Sequence, residues 1–180
     1  IRMEKLSPMS ISSTNKLVRA IWSLVWLMLF RFTPRNFHVW RVFLLRVFGA
    51  KLGRRVHVYP SARIWAPWNL EMHDDACLSE FVDCYNVDRI TVGEGSTISQ
   101  YSFLCTASHD YSCKSMPLVT APIEIGRNVW VTSDVFVAPG VTLGDYCVVT
   151  ARSSVFRDIP ASYIASGNPA VPLKVRNLLS

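Results

Sequence analysis

A mainly β fold, wound as a parallel β-helix from six-residue repeats behind a pair of helices, is what this sequence predicts, and three observations carry the prediction. Ile125, Val131, Val137, Leu143, Val149 and Val155 stand at a strict spacing of six. Four positions after each of the first five comes a small or β-branched residue: Val129, Val135, Val141, Cys147 and Ser153. Before Gly53 the texture is different, being basic, aromatic and almost without acids.

Ile, Leu and Val make up about a quarter of the 180 residues, so six consecutive hits arise by accident on the order of once in several thousand frames. A period of six fits neither a helix nor an alternating strand. It is the signature of a β-helix in which each hexapeptide supplies one flat side and a turn. The same period appears earlier in Val58, Ile64, Leu70 and Ala76, and again in Val92, Ile98 and Leu104, with a register change between Val82 and Ile90. Stacked coils satisfy their backbone hydrogen bonds through the coils above and below.

The N-terminal segment, residues 1–52, reads as two helices. One runs from about Thr14 to Phe32, Thr33-Pro34 breaks it, and a second runs from about Asn36 to Phe48 and ends at Gly49. The apolar run from Leu17 to Phe30 falls short of the roughly 20 residues a spanning helix needs, and no small-residue cleavage site follows it. Residues 1–55 hold eleven Lys or Arg against Glu4 alone, while 56–180 hold eight against twelve Asp or Glu. This asymmetry suits a surface facing phosphates or a membrane. A peripheral contact through residues 14–48 is therefore one expectation, and packing of the helices on the body or on a neighbouring subunit is the other. The basic residues lie among apolar ones and form no strand-tracking face, which argues against nucleic acid.

The repeat domain spans 53–160 and is interrupted by a loop, 105–122, where the period vanishes; a long loop inside a compact repeat is more often functional than accidental. A short C-terminal tail, 161–180, follows. Five cysteines without a C-x-x-C pair read as free thiols in a reducing compartment. That places the chain in the cytoplasm, and at the inner face of the membrane if the helices dock there.

Val129-Trp130, Ala138-Pro139-Gly140-Val141-Thr142-Leu143-Gly144, Arg157-Asp158-Ile159-Pro160 and Gly167-Asn168-Pro169-Ala170 resemble the hexapeptide-repeat acyltransferases of the galactoside and maltose O-acetyltransferase type. Tyr59-Pro60-Ser61-Ala62-Arg63-Ile64-Trp65 and Thr106-Ala107-Ser108-His109-Asp110-Tyr111 extend the resemblance to the colanic-acid-biosynthesis acetyltransferases, over about residues 15–176. The resemblance implies a left-handed coil, against the general right-handed preference, a homotrimer with active sites between subunits, acetyl-CoA as donor and a sugar or glycan hydroxyl as acceptor.

O-acetylation needs a base for the acceptor hydroxyl and a donor for the tetrahedral oxyanion. Of four histidines, His38, His57 and His73 lie in helix or turn contexts, whereas His109 stands at the foot of the long loop beside Asp110, where the family carries its catalytic histidine. By the same resemblance, the oxyanion donor is a backbone N–H of the Thr132-Ser133 turn, Trp130 walls the donor or acceptor pocket, Ala151 lies on the CoA groove and Arg157 pairs with CoA phosphates. Trp130 reads also as a buried structural residue. Asp83 and Asn86 match the region that binds sugar hydroxyls in relatives, and each is equally readable as a turn residue. The sequence departs from the family at Phe156, Thr132 and Thr150. Two other classes compete: a non-catalytic, membrane-associated trimeric scaffold, and a metalloenzyme of the γ-carbonic-anhydrase kind. The latter needs several histidines on zinc, and none follows His109. No metal is expected.

Overall fold

The computed structural model describes residues 6–9 and 12–177; the remaining parts of the N-terminal segment and the tail lie outside the described residues. Residues 51–167 wind into a prism of three parallel faces. The first face stacks Lys51–Leu52, Leu70–Met72, Ile90–Val92, Ile123–Ile125 and Thr142–Leu143. The second stacks His57–Val58, Cys77–Leu78, Thr97–Ile98, Trp130–Val131, Val148–Val149 and Tyr163–Gly167. The third stacks Arg63–Ile64, Asp83–Tyr85, Phe103–Cys105, Phe136–Val137 and Ser154–Val155.

Each face presents one aliphatic ladder to the interior, such as Val58, Leu78, Ile98, Val131 and Val149, all fully buried. From Ile125 to Val155 every inward residue is on the predicted period. The early coils differ. Ile64 is followed on the ladder by Met72, and Cys84 by Val92, so each of these coils carries two additional residues at the corner between the third and first faces. The register thus changes twice, and Leu70 and Ala76 are buried beside the ladder positions Met72 and Leu78. Period counting cannot separate the two frames where residues i and i+2 are both apolar, as in Leu70 and Met72 or Ile90 and Val92.

Corners between the first and second faces turn through left-handed backbone at Arg55, Asp75, Asn128, Tyr146 and Ser162. Such residues carry a steric cost of about 1–3 kcal/mol, offset here by donation from the turn N–H to the coil before, as from Asn128 to the Glu94 carbonyl at 2.8 Å. The small residues on the second sequence signal fill corners: Val129, Val135, Val141, Cys147 and Ser153 are all buried.

Helix α1, Ser13–Val25, is capped by the Ser12 hydroxyl and runs on through one wide turn, Trp26–Phe30. Helix α2 is His38–Val47. Both belong to the same core as the coils, through Trp22, Phe30, Val42, Leu44 and Leu45. The indole N–H groups of Trp22 and Trp26 donate to the carbonyls of Ile64 and Ala62, at 2.7 and 2.9 Å, which staples α1 against the third face. Arg41, fully buried, gives its donors to the carbonyls of Val58, Pro34 and Arg35 and to the Thr33 hydroxyl, which pins α2. The two helices thus share the core of the repeat body, and the first coil begins at Lys51. Among the described residues no helix is long and apolar enough to cross a membrane. The tail closes the second face as a hairpin, with Ala170–Val175 antiparallel to Tyr163–Gly167.

Candidate active site

The chain leaves the third face after Phe103–Cys105, and Thr106 marks the exit by donating its hydroxyl to the Tyr85 carbonyl and accepting the Asp88 N–H. Ala107–His109 then pairs antiparallel with Leu118–Thr120, and Ser7–Pro8 adds an outer strand. Within the loop 105–122, where the period vanishes, the chain forms a hairpin with a tip at residues 110–117, a strand pairing that hexapeptide counting does not detect.

His109 is exposed at this hairpin, and its Nδ1 lies 2.6 Å from the Met116 carbonyl. A carbonyl oxygen only accepts, so the proton of the neutral ring sits on Nδ1 and the lone pair on Nε2. Asp110 does not orient the ring. Its carboxylate accepts from the Ser112 N–H and hydroxyl, bonds that hold it below the usual carboxylate range and shape the hairpin tip.

Trp130 is half exposed on the second face, with Nε1 donating to the Ser99 hydroxyl at 3.0 Å, so it is not a buried structural tryptophan within the chain. Ser133 stands at the corner between the second and third faces, and Ala151 lies one coil further at the same corner, where the Arg152 N–H donates to the Ser133 carbonyl. Both neighbours of the Ser133 N–H are spent, Thr132 on the Val149 carbonyl and Asp134 on that of Gln100. Arg157 is exposed beyond the last strand of the third face. At the family departures, Thr132 donates to the Val149 carbonyl, Thr150 to the Ser166 hydroxyl, and Phe156 packs on Phe136.

Asp83 projects from the third face, 4.0 Å from Arg63, and burial pushes its carboxyl up more than Arg63 draws it down. Asn86 is different. It is fully buried, and its amide brackets the Ala66 peptide, accepting from the N–H at 2.9 Å and donating to the carbonyl at 2.6 Å. The side chain is thus engaged as a corner brace, in keeping with the turn reading of the two that the sequence allowed. Cys84 and Cys147 are buried thiols pushed up by desolvation, Cys147 to about 12, and so are poor nucleophiles. Among the described residues no three His, Cys, Asp or Glu side chains converge as metal ligands.

Sequence reading missed a cavity of about 500 Å³ between α1 and the third face, walled by Arg19, Trp26, Arg63, Trp65, Asp83 and Tyr85. The signal was present as Arg19, Trp22, Ser23 and Trp26 on one side of α1, at spacings of three and four.

No family model matches the chain. Over 169 residues it is 44% identical to WcaF of Escherichia coli, a protein named provisionally as a colanic acid biosynthesis acetyltransferase, covering 94% of this chain and 93% of WcaF. A hexapeptide-repeat acetyltransferase from Vibrio cholerae, solved with acetyl-CoA, superposes with a TM-score of 0.83 at 24% identity over 92% of this chain and 91% of that one. For a maltose O-acetyltransferase from Clostridium difficile the values are 0.82, 24%, 97% and 96%. The chain belongs to the hexapeptide-repeat acetyltransferase family, with the left-handed β-helix that the motifs imply.

Proposed function

We propose that this protein transfers the acetyl group of acetyl-CoA directly to a sugar hydroxyl in exopolysaccharide or other surface-glycan biosynthesis, with His109 as general base. The observation that carries the reading is the bond from His109 Nδ1 to the Met116 carbonyl, which leaves the basic lone pair on Nε2. The names of WcaF and of the acetyltransferase solved with acetyl-CoA support the donor and the pathway class.

In this mechanism Nε2 takes the proton of the acceptor hydroxyl as its oxygen attacks the thioester carbonyl. The Ser133 N–H stabilises the oxyanion. The carbon–sulfur bond breaks as the carbon–oxygen bond is completed, and His109 returns its proton to the departing thiolate. Trp130 and Ala151 line the donor path, Arg157 meets the CoA phosphates, and Asp83 binds the acceptor.

The site is completed by a second copy of the chain. Ser133 stands at the edge joining the second and third faces, whereas the His109 hairpin leaves from the edge joining the third and first. These are two different edges of the prism, which supports a trimer in which one subunit's hairpin meets the next subunit's donor corner. Light scattering that returns a monomer contradicts this arrangement.

A second reading, peripheral docking at the cytoplasmic face of an anionic membrane, rests on the outward side of the helices. Leu24, Met28, Phe32, Val39, Phe43 and Val47 are exposed, as are Lys16, Arg31, Arg35 and Arg46, and the sequence has no acid from residue 5 to residue 70. Mass spectrometry of candidate glycans incubated with acetyl-CoA tests the activity: one added acetyl group is expected, and none on any glycan with the intact enzyme contradicts it.

A further inference from the structure

We propose that the cavity between α1 and the third face binds a glycosyl phosphate, with Arg19 and Arg63 on the phosphate and Asp83 and the aromatic walls on the sugar. The proposal rests on the acetyltransferase reading and names its acceptor class more closely.

The cavity is preformed. Its volume of about 500 Å³ falls within the range of about 300–1,000 Å³ usual for small-molecule sites. The indole bonds from Trp22 and Trp26 to the carbonyls of Ile64 and Ala62 fix the helix wall at its present distance from the strand wall. Trp65 and Tyr85 meet edge to face with ring centroids 5.6 Å apart, presenting an apolar surface of the kind that packs against the carbon face of a sugar ring.

The charges point to an anion next to that sugar. The Arg19 guanidinium lies 3.9 Å from the Trp65 ring centroid, and its Nε donates to the neutral Asn15 amide. Its stacking orients a planar donor fork of the kind that recognises phosphate. Arg63 reaches Asp83 only at 4.0 Å. Arg19 and Arg63 against the single carboxylate of Asp83 leave the cavity walls net positive. Asp83, which has no close ion pair, is free to accept from sugar hydroxyls.

A sugar linked through phosphate reaches an enzyme from two sources, a lipid carrier or a nucleotide. Leu27 lines the cavity and is half exposed, and Leu24 and Met28, within three residues of it, are exposed apolar side chains, a composition that favours the lipid-linked source.

Titration of the full chain, followed through tryptophan fluorescence, tests the site. The probes are glucose 1-phosphate and galactose 1-phosphate, their methyl glycosides, UDP-glucose and UDP-galactose, and short polyprenyl-diphosphate hexoses in neutral micelles. At least one phosphorylated sugar should bind tenfold or more tighter than the methyl glycoside of the same sugar. Arg19→Gln and Arg63→Gln should abolish that preference, Arg19→Lys should retain part of it, and Arg89→Gln, outside the cavity and paired with Glu124, should leave it unchanged. Circular dichroism of each variant separates lost binding from lost fold. The tightest-binding arm identifies the source. Equal binding of phosphorylated and methyl sugars, no saturable binding of any phosphorylated sugar, or an undiminished preference in both glutamine variants overturns the proposal. Acetyl-CoA binding, measured separately on the same samples, fails only if the transferase reading itself is wrong.

Discussion

His109 and Met116 close the tip of the hairpin: the imidazole Nδ1–H donates to the main-chain carbonyl at 2.6 Å, seven residues apart in sequence. The bond sets the tautomer without a carboxylate, since Asp110 is engaged with Ser112. Nitrogen NMR of labelled protein with the ring neutral should find Nδ1 protonated and Nε2 bare. A predominantly Nε2-protonated ring would contradict the proposed base. Asp110→Asn should disturb turnover far less than loss of His109.

Asn86 offers a test of structural against functional assignment. Asn86→Ala leaves the Ala66 N–H and carbonyl without their bonds in a fully buried corner, and each buried group left unpaired costs about 1–3 kcal/mol. A clear fall in melting temperature is expected, with turnover per folded molecule and acceptor KM nearly unchanged. A raised KM at unaltered stability would return Asn86 to the sugar site.

For Asp83 the pH dependence has a definite sign. Burial raises its folded-state carboxyl above the unfolded value, so its contribution to stability is complete below the unfolded pKa and is lost as pH rises through the folded one. Asp83→Asn should therefore raise the melting temperature at neutral pH while raising acceptor KM, and the gain should vanish in acid. Reduced stability at neutral pH, together with unchanged KM, would contradict both its strain and its role.

The helical face should bind vesicles containing anionic lipid at low salt, at about 1 kcal/mol for each basic residue near the surface, and release them as salt is raised. Replacing Phe32, Val39 and Phe43 with serine should lower binding without loss of fold. Equal sedimentation with neutral and anionic vesicles, or none with either, contradicts peripheral docking.

What the sequence revealed of this fold depended on which physical rule left a pattern in it. The six-residue spacing from Ile125 to Val155 reported the inward ladder directly, because each coil there has equal sides. The early register was hidden by paired apolar residues such as Leu70 and Met72, both buried. His109 was legible from its motif, but its partner Met116 was not, since a backbone carbonyl carries no residue signature. Asn86 read as a polar residue near the sugar region because burial, and not identity, decides whether an amide braces the backbone or meets a ligand. The cavity required two distant segments, α1 and the strands Arg63–Ile64 and Asp83–Tyr85, to be brought together.

The central claim is that His109 performs the proton transfer, and the most direct measurement compares turnover of His109→Ala with wild type at saturating acetyl-CoA on the acceptor found by the glycan screen. General-base catalysis contributes about 10²–10⁴-fold, so turnover should fall by that factor while acetyl-CoA affinity and oligomeric state hold, the donor corner at Ser133 and Ala151 lying on another edge of the prism. Near-normal turnover in a folded His109→Ala protein would contradict the mechanism.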